Sequence, residues 1–171
     1  EGMDTGDILL CEKCDIPDNM TGGELFDTLA PLGASLLIKT VEGIESGLVF
    51  PRKQDEKEAT YAPMLKKEDA AVDFSKSAAT IRNLIRGLNP WPVAYTFAGK
   101  MKIKIYSAKP AGETGKAPGT ILDDKKFIVA CKDGEAIELC EVQIAGSRRM
   151  SGEELLRGHP IPKGTVLKKE E

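Results

Sequence analysis

Among 171 residues there is one histidine, His159, and it stands in Arg157-Gly158-His159-Pro160 without a second imidazole to form a metal site or a proton relay. It reads as a turn residue. Cysteine is nearly as sparse: Cys11 and Cys14 form the one C-x-x-C pair, while Cys131 and Cys140 lie far from it. The pair falls in a stretch, Ile8 to Ile16, that reads as a strand, where residues three apart point to opposite faces. No metal is expected, and reduced, unpaired thiols in a cytoplasmic protein are the default. Long apolar runs are also missing, so no segment is suited to span a bilayer and no membrane partner is expected. A signal peptide is not recognisable either, since the chain opens Glu1-Gly2-Met3-Asp4. The expectation is a chain that begins partway through a longer protein. Gly112-Glu113-Thr114-Gly115-Lys116 has the wrong spacing for a phosphate loop and no Ser or Thr after its lysine, so it reads as a surface turn.

What the sequence does have is a division of charge. Residues 1–58 carry five Lys and Arg against thirteen Asp and Glu, a net of -8, whereas residues 59–171 carry nineteen against fourteen, a net of +5. A basic second half tethered to an acidic first half points toward a polyanionic partner for the second.

Local pattern divides the chain in the same way. After the strand-like Ile8–Ile16, Thr21 followed by Glu24 gives a capping box, and Leu25, Leu29, Leu32 and Leu36 recur at helical spacing as a stripe expected to be buried. Pro31 is expected to kink this helix, which otherwise runs to about Gly43 or Gly47. One strand and one helix cannot enclose a core, so this segment has the character of a larger α/β domain's edge. Residues 49–73 turn polar and read as a linker. A second helix follows, capped by Ser75 or Ser77, with Ile81, Leu84, Ile85 and Leu88 on one face, Arg82, Asn83 and Arg86 on the other, and Asn89-Pro90 at its end. Beyond Trp91-Pro92 the pattern is short strands: Val93–Phe97, Met101–Ala108, Thr120–Leu122, Phe127–Cys131, Ala136–Ile144 and Gly164–Leu167, with a short helix capped by Ser151 and Glu154 before the last. Such a set suggests a small barrel of the OB type.

Gly2-Met3-Asp4-Thr5-Gly6-Asp7-Ile8 and Leu88-Asn89-Pro90-Trp91-Pro92, together with Tyr61-Ala62-Pro63, Lys67-Glu68-Asp69, Pro118-Gly119-Thr120-Ile121 and Arg148-Arg149-Met150-Ser151, resemble in order the later part of the methionyl-tRNA formyltransferase family. The resemblance implies an α+β chain: residues 1–50 as the edge strand and helix of a Rossmann-like formyltransferase domain, 51–75 as an interdomain linker, and 76–171 as a helix leading into an OB-like β-barrel that binds tRNA. It implies transfer of a formyl group from the cosubstrate 10-formyltetrahydrofolate to the amino group of initiator methionyl-tRNA by a monomer. Asp4 takes the place of the family's catalytic aspartate, with Met3 and Asp4 beside the folate, and Asp7 bracing the loop. For tRNA contact the candidates are Lys66, Lys67, Arg82, Arg86, Lys102, Lys104, Arg148 and Arg149, as phosphate-neutralising groups. Trp91 is either a stacking platform or a wedge between domains.

The departures matter as much. The family's asparagine–histidine pair and Ser-Leu-Leu-Pro folate loop are not in this sequence, Met64 stands where the family often has lysine, and Phe74 where it often has tryptophan. This chain alone is therefore expected to be inactive. Two alternatives remain: the corresponding part of a sugar-nucleotide formyltransferase of the UDP-amino-arabinose type, or a non-enzymatic OB-fold RNA-binding module, which would have no use for the first fifty residues.

Overall fold

The structure, a computed structural model, describes residues 2–170, Asp133 by its backbone only. The chain divides into two compact units, Glu1–Met64 and Leu65–Glu171, the linker expected at 51–75 spanning that division.

In the first unit the Thr21 capping box forms in full, the hydroxyl accepting from Glu24 N–H and the Glu24 carboxylate accepting from Thr21 N–H. It opens helix α1, Gly22–Glu45, with Pro31 inside it without ending it. The helix terminates where Leu48 N–H and Val49 N–H both donate to Gly43 O, at 2.8 and 3.1 Å. The stretch 8–16 is not a strand: Ile8 makes a single antiparallel bridge to Arg52 and the rest is irregular, because among the described residues no longer extended segment lies alongside to pair with it. The expected apolar stripe is not buried either. Leu25, Leu32 and Leu36 are half-buried and Leu29 is 44% exposed.

The second unit is built around an antiparallel sheet. Ser77, not Ser75, caps α2 (Ala78–Gly87), and Ser75 instead donates to Asp73 at 2.6 Å. A carboxylate oxygen of Glu135 adds an acceptor for Ala78 N–H at the same helix end, at 2.6 Å. Strands β1 (Ala94–Ala98) and β2 (Met101–Glu113) form a hairpin through Gly99, whose φ of +56° suits glycine at the first position of a two-residue connection. The strands β3 (Ile121–Asp123), β4 (Ile128–Ala130), β5 (Glu135–Ile144) and β6 (Met150–Ser151) follow, in the order β1-β2-β5-β4-β3 with β6 paired to β5. Gly112 and Glu113 finish β2 rather than forming a turn by themselves: the register slips near Ser107 and after Pro110, so the proline is accommodated at an irregularity.

The core lies between this sheet and two short helices. Ala78, Ile81 and Ile85 of α2, and Leu155 and Leu156 of α3 (Gly152–Gly158), are buried together with Ile103, Ile105, Phe127, Val129, Ile137, Leu139 and Val142. Phe74 also lies in this core, at 5% exposure. Gly152 is fixed by packing, since a Cβ there would strike the Leu139 carbonyl oxygen and Phe127 Cβ. The segment expected as a last strand makes isolated bridges instead, Thr120 to Val166 and Phe97 to Lys168, so that its backbone reaches both β1 and the approach to β3. The result is a mixed helix and antiparallel-sheet fold.

Candidate nucleic-acid interface

Strand pairing sorts the side chains of β1, β2 and β5 onto two faces. Ala94 pairs with Ile105, Thr96 with Ile103, Ile105 with Val142 and Ile103 with Ile144, and all of these are buried. The alternate positions pair Tyr95 with Lys104, Phe97 with Lys102 and Lys104 with Gln143, which places two aromatics, two lysines and an amide on the outer face. There the Lys102 ammonium stands 3.6 Å from the Tyr95 ring centroid and 5.7 Å from that of Phe97. The two rings meet edge to face at 5.8 Å.

Next to them Tyr106 anchors a second cation. Its hydroxyl donates to Gln143 Oε1 at 2.6 Å, and the Arg149 guanidinium lies 3.6 Å from its ring centroid. Gln143 Nε2 donates onward to Ser147 O at 2.9 Å, holding the turn that carries Arg149. Asn89 Nδ2 donates to Tyr106 O at 3.1 Å, so the Asn89–Pro92 turn and this strand share a hydrogen bond. A cavity of about 210 Å³ opens on this face, lined by Lys102, Lys104, Gln143, Ile144, Ala145 and Gly146.

The residues nominated from sequence are thus not equivalent. Lys102, Lys104 and Arg149 converge on the outer face. Arg148 turns away to Glu154, at 3.2 Å, in the capping box of α3. Glu154 is held below the usual carboxylate range, first by the Ser151 N–H and then by Arg148. Arg82 and Arg86 are half-buried on α2, and Arg86 Nε donates to Asn83 Oδ1 at 3.0 Å. Lys66 and Lys67 are exposed before a short 3-10 turn at Glu68–Ala70, where Asp69 accepts from Lys66 N–H. Trp91 is 58% exposed. Tyr95, Phe97, Tyr106 and Gln143 were missed by sequence reasoning. Their signal was the alternation Tyr95-x-Phe97 and Lys102-x-Lys104-x-Tyr106, which also fits ordinary core-facing strands.

In the first unit Met3 and Asp4 lie in an exposed turn, Asp4 with a φ of +59°. Gln54 Nε2 donates to Asp4 O at 3.0 Å and to Gly6 O at 2.7 Å, fixing the turn to a segment fifty residues away. The adjoining cavity of about 260 Å³ is lined by Asp4, Asp7, Gln54, Asp55, Glu56 and Ala59 among others. Its carboxylates can accept from the amino-pyrimidine edge of a pterin, but apart from Ala59 the lining is polar or charged and presents no apolar face to the ring, so these residues can form one side of a tetrahydrofolate site and not the whole of it. His159 is the cap residue at the C-terminal end of α3, its N–H donating to Leu155 O at 2.7 Å.

Helices packed on an antiparallel sheet in this arrangement are the fold found in formyltransferase structures. HypX from Aquifex aeolicus, solved in complex with tetrahydrofolic acid, matches with a TM-score of 0.63 at 18% identity over 91% of this chain and 28% of that one. An N-formyltransferase from Helicobacter canadensis, solved with folinic acid and dTDP-3-aminofucose, matches with a TM-score of 0.62 at 21% identity over 81% of this chain and 51% of that one.

Residues 64–160 match the formyl transferase C-terminal domain, and the chain belongs to that family. Its sequence is 43% identical to the methionyl-tRNA formyltransferase of Lachnospira eligens, across 98% of this chain and 55% of that protein. It is 45% identical to the methionyl-tRNA formyltransferase of Acetivibrio thermocellus, across 97% and 54%. The chain spans about half the length of the curated relatives it matches.

Proposed function

We propose that this chain serves formylation of the amino group of initiator methionyl-tRNA, with its second unit docking the tRNA. The observation that carries the reading is the outer face of β1, β2 and β5, where Lys102, Lys104 and Arg149 stand among Tyr95, Phe97 and Tyr106. Cations neutralise phosphates without reading sequence, and aromatic faces suit bases, so the combination favours RNA over a small sugar nucleotide. The relatives at 43–45% identity support the same acceptor. We read the bridged sheet as a barrel of the OB type, residues 51–75 as the linker and residues 1–50 as part of the catalytic domain.

In the formyl transfer, 10-formyltetrahydrofolate supplies the carbonyl carbon that the neutral methionyl amine attacks. The tetrahedral adduct must lose a proton from nitrogen as the folate nitrogen leaves. This chain's contribution is the Asp4 carboxylate, exposed on a turn that Gln54 holds, which would orient a histidine or assist the proton. Met3 would lie against the cosubstrate. His159, at the end of α3, does not take the histidine's part, and the isolated chain forms no product. Lys66, Lys67, Arg82, Arg86 and Arg148 are assigned a supporting role on the tRNA backbone.

The test is binding of the chain to initiator methionyl-tRNA against an equal-length duplex that is not a tRNA, titrated with salt. Preferential binding that weakens with salt is expected, and Lys102→Ala and Lys104→Ala should each reduce the salt slope by about 1. Failure to bind tRNA at low salt would remove the docking role.

A further inference from the structure

We propose that the outer face of β1, β2 and β5 takes an unpaired nucleotide of its RNA, whose base displaces Lys102 from the Tyr95 ring and lets the ammonium turn to the adjoining phosphate. The inference deepens the docking role and rests on it. Tyr95 and Phe97 are half-buried, on the opposite side of β1 from the buried Ala94 and Thr96. Their rings are not needed to complete the core. In a duplex the bases are stacked inside and only phosphates, sugars and groove edges are offered, which leaves two outward aromatic rings without a task. An unpaired base offers a flat face to either ring.

Lys102 is suited to the exchange. Among the described residues it has no carboxylate partner, and its hold on the free protein is the Tyr95 ring at 3.6 Å. A lysine over an exposed ring contributes roughly two- to fivefold in an equilibrium. A stacked base contributes on the order of 10- to 100-fold, so the base wins the ring, while the freed ammonium gains a phosphate. Lys104 lines the same cavity and adds a second cation. That cavity, about 210 Å³, is lined by Lys102, Lys104 and Gln143 and not by Tyr95 or Phe97, so it adjoins the rings through Lys102 and offers space for the nucleotide's polar edge and phosphate.

Gln143 supplies polar recognition there. Of its four hydrogen-bonding positions, Oε1 accepts from Tyr106 and Nε2 donates once to Ser147. One N–H and one lone pair remain for a base edge. Tyr106 and Ser147 fix the amide's orientation, so its donor and acceptor are already sorted before RNA arrives.

The experiment measures affinity of the full chain for a short unstructured RNA oligonucleotide, the same sequence annealed into duplex, and initiator methionyl-tRNA. The oligonucleotide should bind about tenfold or more tighter than its duplex, and Tyr95→Leu and Phe97→Leu should each lose on the order of tenfold for the oligonucleotide while leaving duplex affinity in place. Tyr95→Phe keeps the ring and should keep the affinity, and thermal unfolding of each variant checks the fold. Equal affinity for the two RNA forms, or loss in Tyr95→Phe as large as in Tyr95→Leu, overturns the stacking site. If either occurs while tRNA still binds, the docking role stands and the stacking site falls. Absence of binding to every RNA removes both.

Discussion

The 24-residue α1 is the longest element of the chain and contributes no buried residue, whereas the 10-residue α2 buries Ala78, Ile81 and Ile85. Both helices are capped and both are amphipathic, so neither capping nor periodicity explains the contrast. The difference is the presence of a facing surface. The second helix packs on a sheet, and each fully buried aliphatic side chain gains about 1.5–3 kcal/mol. The first leaves Phe26 at 72% and Leu37 at 65% exposure. A helix's stability in a folded protein is mostly that of the face it packs against.

Severing the chain between Met64 and Leu65 should sharpen the contrast most. The 65–171 piece should keep a cooperative thermal transition and slowly exchanging amides, while the 1–64 piece should show neither. Cooperative melting of the shorter piece would break the comparison. Within the intact chain, Phe127→Ala should cost about 3–5 kcal/mol in urea unfolding, against less than ~0.5 kcal/mol for Phe26→Ala.

Glycines supply a finer version. Gly152→Ala should destabilise by about 1–3 kcal/mol because its new methyl meets backbone and Phe127. Gly33→Ala, in α1 with open space around it, should raise helicity and stabilise that helix by up to about 1 kcal/mol, read by circular dichroism. An effect of similar size concerns pH. Asp73 accepts from Ser75 and pairs with Lys169 at 2.9 Å, and its carboxyl falls from an ordinary 3.8 to about 2, with the Ser75 hydrogen bond as the leading cause. Because the folded value is the lower one, this stability is present above pH 4 and fades as pH falls toward 2. Asp73→Asn should cost about 1 kcal/mol at neutral pH after allowance for solvent screening, and should flatten the acid limb of a stability profile.

Much of the second unit was legible because its signals are local. Ser151 and Glu154 announce α3, Ala98-Gly99-Lys100 announces the hairpin, and Asn89-Pro90 ends α2. The stretch 8–16 misled because a short strand-like segment says nothing about whether a neighbour exists to pair with. The extension of β2 through Pro110 depends on register slips that no residue type marks. The basic residues of the candidate interface were visible as charges, but which ones converge was not. Arg148 and Arg149 are adjacent in sequence, and only the fold sends one to Glu154 and the other to Tyr106.

Phe97 exchanges backbone hydrogen bonds with Lys168, at 2.9 and 3.0 Å, and Thr96 Oγ1 donates to Lys168 O from 72 positions away. The cost of closing so wide a loop is met before the contacts themselves reward it, which makes such pairings slow to form. Helix α1, whose hydrogen bonds span four residues, can form within about a microsecond. Refolding should therefore have two clocks, an early one reporting helix and a late one reporting the strand that carries Tyr95 and Phe97. The proposed RNA docking should follow the late clock.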